Sequence, residues 1–305
     1  MTKTERRELA AGLLFISPWA AGFLIFCLYP LLQAARLSLA DYSVLSAPVY
    51  IGLENYRLLL RDELFWQSVL NTFWFAAFSV PIGAIVPLSL ALLLNFNLPG
   101  RDLFRTVFFL PSLLPLVCLG VLWQWLLNGD IGLINSFLRP ACEAFSALLG
   151  TPLRPPNWLS DPAWTKPALL IAGAWTTGNA VVIYLAGLQD VPRHLYEAAE
   201  IDGASPLQRF RHVTLPMLSP VIYFNGVMSV IGSLQVFGLS YVLTGGGDGP
   251  DRSLLFMATY VYRRAFDYWD MGYACALGLV LFLIVLTVTL LAHFVGRRFT
   301  HYESK

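Results

Sequence analysis

Long apolar runs separated by short polar connections set the pattern of this chain. Six stretches are predominantly apolar over about 20 residues or more, the length an α-helix needs to cross the hydrocarbon of a bilayer. They are residues 9–37, 69–94, 106–127, 167–188, 215–243 and 271–295. Several contain proline (Pro18, Pro30, Pro81, Pro87 and Pro220), which membrane helices tolerate where neighbours satisfy the freed backbone groups. Trp66, Trp123, Trp125, Trp164 and Trp269 fall near the ends of these stretches, as an interfacial aromatic belt would place them. The pattern predicts an all-α integral membrane protein with six transmembrane helices, a single domain over residues 1–305. Lys3, Arg6 and Arg7 precede the first stretch as they would in a signal peptide. That stretch is longer than a signal h-region and lacks a small-x-small cleavage site, so it reads as a retained helix.

An even number of spans puts both termini on one side. That side holds Lys3, Arg6, Arg7, Arg101, Arg105, Arg193, Arg209, Arg211, Arg297, Arg298 and Lys305 in short segments. Arg57, Arg61, Arg139, Arg154, Arg252, Arg263 and Arg264 lie on the other side, spread over longer connections. The positive-inside rule then predicts cytoplasmic termini and a cytoplasmic connection between the fourth and fifth spans.

Composition agrees. The 305 residues are 57% hydrophobic and 13% charged, where a soluble domain is nearer a quarter charged, so a lipid bilayer is the expected solvent. A net charge of +1 argues against a basic nucleic-acid binder. Cys27, Cys118 and Cys275 sit in apolar runs and Cys142 in a polar connection. No CxxC or Cys/His cluster suggests a metal.

Equally informative is what the spans lack. Their cores show no Asp, Glu, Lys or Arg, and His293 is their one imidazole, whereas proton-coupled carriers usually need intramembrane carboxylates or His relays. A P-loop needs Gly-Lys-Ser/Thr, and none of Lys3, Lys166 and Lys305 follows a glycine. No GxSxG or HExxH occurs. No catalytic residue is expected, and any energy source belongs to a partner.

The cytoplasmic connection, residues 190–214, is where the polar residues gather. Asp190 is expected to cap a helix with Pro192 in its first turn. Leu195, Ala198, Ala199 and Asp202 then share one side. Gly203 is placed to take positive φ and stop the helix, and Ser205-Pro206 starts a second one. A short helix, a bend and another short helix follow. Such an elbow could rest on lipid headgroups through Arg209, Arg211 and His212. It could equally be a docking knob, with small Ala198, Ala199 and Gly203 admitting a partner's backbone and Glu197 supplying charge.

Glu197-Ala198-Ala199, then Gly203, then Val213-x-Leu215-Pro216 resembles the EAA loop of binding-protein-dependent ABC importer permeases, with Val213 where the family prefers Ile. Leu188-Gln189-x-x-Pro192, Tyr196 and Ile201-Asp202-Gly203-Ala204 resemble the sugar-type branch. So do Ile51-Gly52-Leu53-Glu54-Asn55-Tyr56 after the first span and Tyr262-Arg263-Arg264-Ala265-Phe266 in the last external loop. Leu243-Thr244-Gly245-Gly246-Gly247 resembles the permease type that pairs with a second, non-identical permease, although the turn through Pro250 is slightly longer than usual. The resemblance implies a type I importer permease fold in a bacterial or archaeal cytoplasmic (inner) membrane. It implies a sugar, polyol or glycerol-phosphate-type solute, an extracytoplasmic solute-binding protein and cytoplasmic ATP-binding subunits. ATP would then be bound by the partner, and this chain would hold no cofactor. Glu197, Ala198, Ala199, Asp202, Gly203, Leu215 and Pro216 become the expected ATPase-coupling residues.

Solute contacts are sought in the spans. Asn225, Ser229 and Ser233 recur every four residues and form one polar stripe, with Trp175 and Asn179 expected opposite. Helix–helix hydrogen bonding accounts for the same stripe. A self-sufficient secondary carrier, an intramembrane enzyme or a structural scaffold are the competing classes.

Overall fold

The structure is a computed structural model and describes residues 2–96 and 99–297; Arg298 and Lys305 lie outside the described residues. Its elements are overwhelmingly helical. Among the described residues, three helices are long and apolar enough to cross a bilayer alone: Thr4–Leu37, Glu63–Asn95 and Met271–Gly296. Three bent pairs can each supply one more, which gives up to six spans by length and composition. The first span is α1 (Lys3–Phe23), a π turn at Leu24–Leu28 and α2 (Tyr29–Leu37). Arg36 stands in its last turn, so the predicted absence of basic residues there holds only short of that end.

Three of the six expected spans are bent pairs of helices. Residues 106–127 divide into α5 (Arg101–Phe109), a 3-10 turn at Leu110–Leu113 and α6 (Leu116–Leu126), with a bend of 103°. Proline explains the break. Leu114 precedes Pro115 and is extended at φ −69°, ψ 135°, since a following proline disfavours the helical region. The fourth span starts early, at α8 (Pro162–Trp175), where Asp161 Oδ1 accepts from Ala163 N at 2.9 Å and Pro162 takes the first turn. Lys166 therefore lies within a helix, its Nζ 5.2 Å from the Trp74 ring centroid. After a 48° bend α9 (Gly178–Gln189) follows. Residues 215–243 divide into α12 (Leu215–Met217), α13 (Ser219–Leu234) and α14 (Gly238–Leu243). α14 is held by Gln124 of α6, whose amide donates to Val242 O at 2.6 Å.

Two compact units partition the chain. One joins residues up to Phe65 with Tyr260–Leu283. In it β1 (Ala40–Asp41) pairs antiparallel with β2 (Val49–Tyr50), and α3 (Glu54–Arg61) follows. Buried Asn55 donates to Ser38 O and Ala40 O, both at 2.9 Å, which fixes α3 to the hairpin. Asp62 caps the start of α4 (Glu63–Asn95) by accepting from Leu64 N at 2.9 Å. Its other oxygen gathers Tyr260 of α15 (Met257–Tyr262), Arg264, and Tyr273 of α16 (Met271–Gly296).

The other unit joins Trp66–Thr259 with the chain from Ile284 onward. One apolar cluster of buried residues includes Phe75, Trp123, Trp158, Leu169 and Phe256; another packs Leu94 of α4, Tyr184 and Leu188 of α9 and Leu218. α7 (Leu133–Leu149) lies in the connection between α6 and α8. His293 hydrogen-bonds with the Tyr223 hydroxyl, giving the imidazole a packing partner on α13.

Candidate functional site

The elbow begins with a correction. α9 runs on until Asp190 forms its C-cap, with Asp190 N donating to Ala186 O at 3.1 Å. The cap of the next helix is Pro192, in extended backbone, and α10 spans Arg193–Ile201. The end of α10 is as expected. Gly203 has φ +74°, Gly203 N donates to Glu200 O at 3.0 Å and Ala204 N to Ala199 O at 2.9 Å. Those paired bonds around a left-handed glycine are a Schellman motif. Ser205 then caps α11 (Pro206–Arg209) in a capping box with Gln208: Gln208 N donates to Ser205 Oγ at 3.4 Å and Ser205 N to Gln208 Oε1 at 2.7 Å. A π turn at Phe210–Thr214 leads into α12.

Two contacts lock the arms together. Arg209 ion-pairs with Glu200, and the Tyr196 hydroxyl hydrogen-bonds with buried Thr214 at 2.9 Å. A concavity of about 320 Å³ opens between the arms, lined by Ala199, Asp202 and Gly203 among others. Glu197, Ala198, Asp202 and Gly203 are exposed. The Glu197 side chain makes no hydrogen bond or ion pair among the described residues and is exposed on α10. Leu215 and Pro216 stand at the foot of the second arm, in α12. The coupling set omitted Ile201 and Leu207, which are 87% and 75% exposed. Two large apolar side chains bared at an elbow tip are a docking signal that their apolar character in a polar segment would have given.

The second place is a cavity of about 650 Å³ between α4, the α8–α9 bend and α13. Ser229 and Ser233 of the stripe line it, together with Asn179. Asn225 does not: it is buried and its amide donates to Val221 O at 3.1 Å. Trp175 is also outside the lining; it packs edge-on against Trp123, centroids 5.7 Å apart. Ser79, Thr176 and Thr177 line the cavity without having been singled out. Thr176 and Thr177 hydroxyls donate to Gly173 O and Ala174 O, both at 2.8 Å. Both hydroxyls thus bond carbonyls in the last turn of α8, where the helix breaks, and a Thr-Thr-Gly run inside an apolar stretch was the available sign of that break. Ser79 Oγ is buried with no partner among the described residues. A Cβ on Gly83 would meet Ser229 Oγ at 2.9 Å, so glycine lets α4 and α13 approach here. The lining carries hydroxyls, one amide and apolar side chains such as Phe75 and Met228, and no charge. Such a surface can hydrogen-bond a neutral, hydroxylated solute without desolvating an ion.

Among the described residues no group of His, Cys, Asp and Glu is placed to hold a metal. An apolar helical chain with bent spans, an exposed elbow and an uncharged cavity defines a membrane permease. The family described as "Binding-protein-dependent transport system inner membrane component" matches residues 79–301, and the chain belongs to it. A probable ABC transporter permease, YesP of Bacillus subtilis, is 35% identical over 100% of this chain and 96% of its own length. The trehalose/maltose transport system permease MalF of Thermococcus litoralis is 35% identical, covering 97% of each chain. LacF, the lactose transport system permease of Rhizobium radiobacter, is 36% identical over 97% of this chain and 99% of its own. A chain of a bacterial ABC transporter that imports the acidic polysaccharide alginate superposes with a TM-score of 0.80 at 25% identity, covering 97% of this chain and 98% of that one. The fold is therefore that of a type I ABC importer permease, embedded in a membrane.

Proposed function

We propose that this chain is one half of the pore of a sugar importer, driven by ATP that cytoplasmic subunits bind and hydrolyse. The exposed, doubly capped elbow carries the reading. Its shape is fixed by the Schellman turn and capping box, so force applied at Glu197, Ala198 and Gly203 is passed on rather than absorbed. It seats in the ATPase subunit, with both termini and the elbow in the cytoplasm of a bacterium or archaeon. Six spans cross the inner membrane, at about 9–37, 69–94, 106–127, 167–188, 215–243 and 271–295, with the breaks described above. A second, non-identical permease completes the pore, and an extracytoplasmic binding protein delivers the solute. A solved alginate importer in complex with a pentasaccharide-bound periplasmic protein, TM-score 0.80, supports that last partner.

The solute passes the cavity lined by Asn179, Ser229 and Ser233. Relatives named for trehalose/maltose and lactose support a sugar, as does the uncharged lining. The chain itself is not an enzyme in this reading and holds no cofactor. The test reconstitutes the chain with its co-purifying subunits and measures ATP hydrolysis and uptake together. Gly203→Arg places a β-carbon at φ +74° and bulk at the elbow tip; assembly and basal hydrolysis should persist while uptake is lost. Full uptake by Gly203→Arg would sink the coupling role. Unchanged uptake kinetics in both Ser229→Leu and Asn179→Leu would make the cavity a packing feature only.

A further inference from the structure

The connection between α6 and α8 contains a helix that the transport reading does not use. α7 is 17 residues long and strongly two-sided. Leu133, Phe137, Ala144 and Leu148 recur at offsets of 4, 11 and 15 and share one face. All four are exposed, Phe137 and Leu148 at 76% and 79%. Asn135, Arg139, Cys142, Glu143 and Ser146 occupy the other side. Asn135 bolts that side down: its amide donates to Gly129 O at 2.9 Å and Pro156 O at 3.0 Å, and its Oδ1 accepts from Trp158 Nε1 at 2.8 Å. The roll of the helix is therefore set, and its apolar stripe faces away from the protein.

We propose that α7 lies along the bilayer surface, with this stripe set into the lipid interface; the proposal rests on reading the α5–α6 and α8–α9 pairs as spans. The tether is the first reason. α6 ends at Leu126, and residues 127–132 lead to α7. Six residues reach at most about 20 Å when extended, and here the chain is folded back by Gly132 N donating to Asn128 O at 3.0 Å. Both ends of the connection carry exposed tryptophans, Trp125 on α6 and Trp164 on α8, the residues that mark the membrane–water boundary. Continuity is the second reason. Val117, Val121 and Trp125 form an exposed apolar row along α6, and Ile131 at 70% exposure carries it on to Leu133.

Charge is the third reason. α7 holds one cation and one anion, Arg139 and Glu143, for no net charge. Attraction to anionic headgroups therefore adds little, and buried apolar area has to supply the binding. Arg139, Glu143 and Arg154 meanwhile border a cavity of about 440 Å³ on the opposite side, so the charged groups stay in water while the stripe enters lipid.

The test uses the full chain, with the subunits that co-purify with it, in phosphatidylcholine nanodiscs. Cys27, Cys118, Cys142 and Cys275 are replaced by alanine, and single nitroxides are attached through Phe137→Cys, Leu148→Cys, Arg139→Cys or Glu143→Cys. Labels replacing Phe137 and Leu148 should be relaxed by oxygen and shielded from nickel-EDDA; those replacing Arg139 and Glu143 should show the inverse. Nickel access at the stripe equal to that at Glu143 means water and overturns the proposal. Shielding from both reagents means a protein partner on the stripe and overturns it as well. Ala144→Cys replaces either stripe label that impairs assembly. Sidedness is read separately, with a membrane-impermeant thiol reagent on intact cells. Labelling of Asp202→Cys from outside, and not of Glu143→Cys, would reverse the proposed orientation of the transporter and leave the lipid contact standing.

Discussion

Asp62 offers a quantitative test of the first unit. Its side chain is 14% exposed, and its Oδ2 accepts from the hydroxyls of Tyr260 and Tyr273 (the latter at 2.6 Å) and from Arg264 Nη2 at 3.3 Å. Asp62→Ala removes the acceptor shared by a guanidinium and two hydroxyls in a partly buried place. Breaking one side of a buried pair costs about 3–5 kcal/mol. The low end, about 3 kcal/mol, applies here, because Arg264 keeps Asp270 at 3.6 Å and stacks over Tyr273 at 4.4 Å. Asp62→Asn retains an acceptor and loses the charge, for about 1.5 kcal/mol. Amide exchange around residues 260–273, read by mass spectrometry in nanodiscs, should then accelerate on the order of 100-fold for alanine and about tenfold for asparagine. Exchange unchanged in both variants, or faster in asparagine than in alanine, would refute the assignment of Asp62 as the hub. The same hub has a pH signature. Burial pushes the Asp62 carboxyl up, but donors Tyr260, Tyr273 and Leu64 N and the charge of Arg264 outweigh it, and the carboxyl titrates below its ordinary range. A carboxyl depressed by folding contributes stability in full above its unfolded value of about 3.9 and loses it as pH falls through the folded value. Protection should be flat from neutral pH down to about 5 and fade only below about 4. Tyr260, pushed up to about 12 by burial and by its bond to Asp62, stays a donor throughout.

Two further predictions concern the other unit. Gly83→Val should cost about 1–3 kcal/mol through overpacking against Ser229 Oγ and depress uptake with basal ATP hydrolysis retained; adding Ser229→Ala should restore part of both in a double-mutant cycle, and strictly additive effects would disprove direct contact. Leu218→Ala, at a fully buried side chain in the kink between α12 and α13, should cost about 2–5 kcal/mol in thermal unfolding and lower uptake per ATP hydrolysed; an unchanged ratio would remove the kink from the coupling path.

The elbow was legible because its rules are local. Gly203, Ser205 and Pro206 act on backbone within a few residues of themselves, and each performs as its chemistry requires. Asp190 misled because two helix ends compete for it, and the continuing C-terminus of α9 claims it. Hydropathy located the spans yet was blind to their breaks; Pro115 and Thr176-Thr177 bend helices without lowering their apolar content. The polar stripe failed at Asn225 for a geometric reason. Four-residue steps on a helix of 3.6 residues per turn drift about 40° each, so residues eight apart diverge by about 80°. Ser229 and Ser233 face the cavity, and Asn225 does not. Asp62 and Arg264, 202 residues apart, had no local signal that joined them.

Geometry within the second unit ties the elbow to the cavity. The bent pair Pro206–Met217 and Ser219–Leu234 turns by 66°. Its first limb belongs to the elbow, and its second carries Ser229 and Ser233. At 1.5 Å per residue, Ser229 lies only about 15 Å along the helix from Ser219. Between them and the elbow sits Leu218, wholly buried against Tyr184 and Leu188 of α9, and α9 in turn begins at the cavity with Asn179 and ends at the elbow with Asp190. Two helices thus run side by side from one site to the other, packed through a tight apolar cluster. Dense packing transmits displacement instead of dissipating it. The proposed coupling would therefore have a direct mechanical route from the capped elbow to both walls of the cavity, whose lining carries no charge.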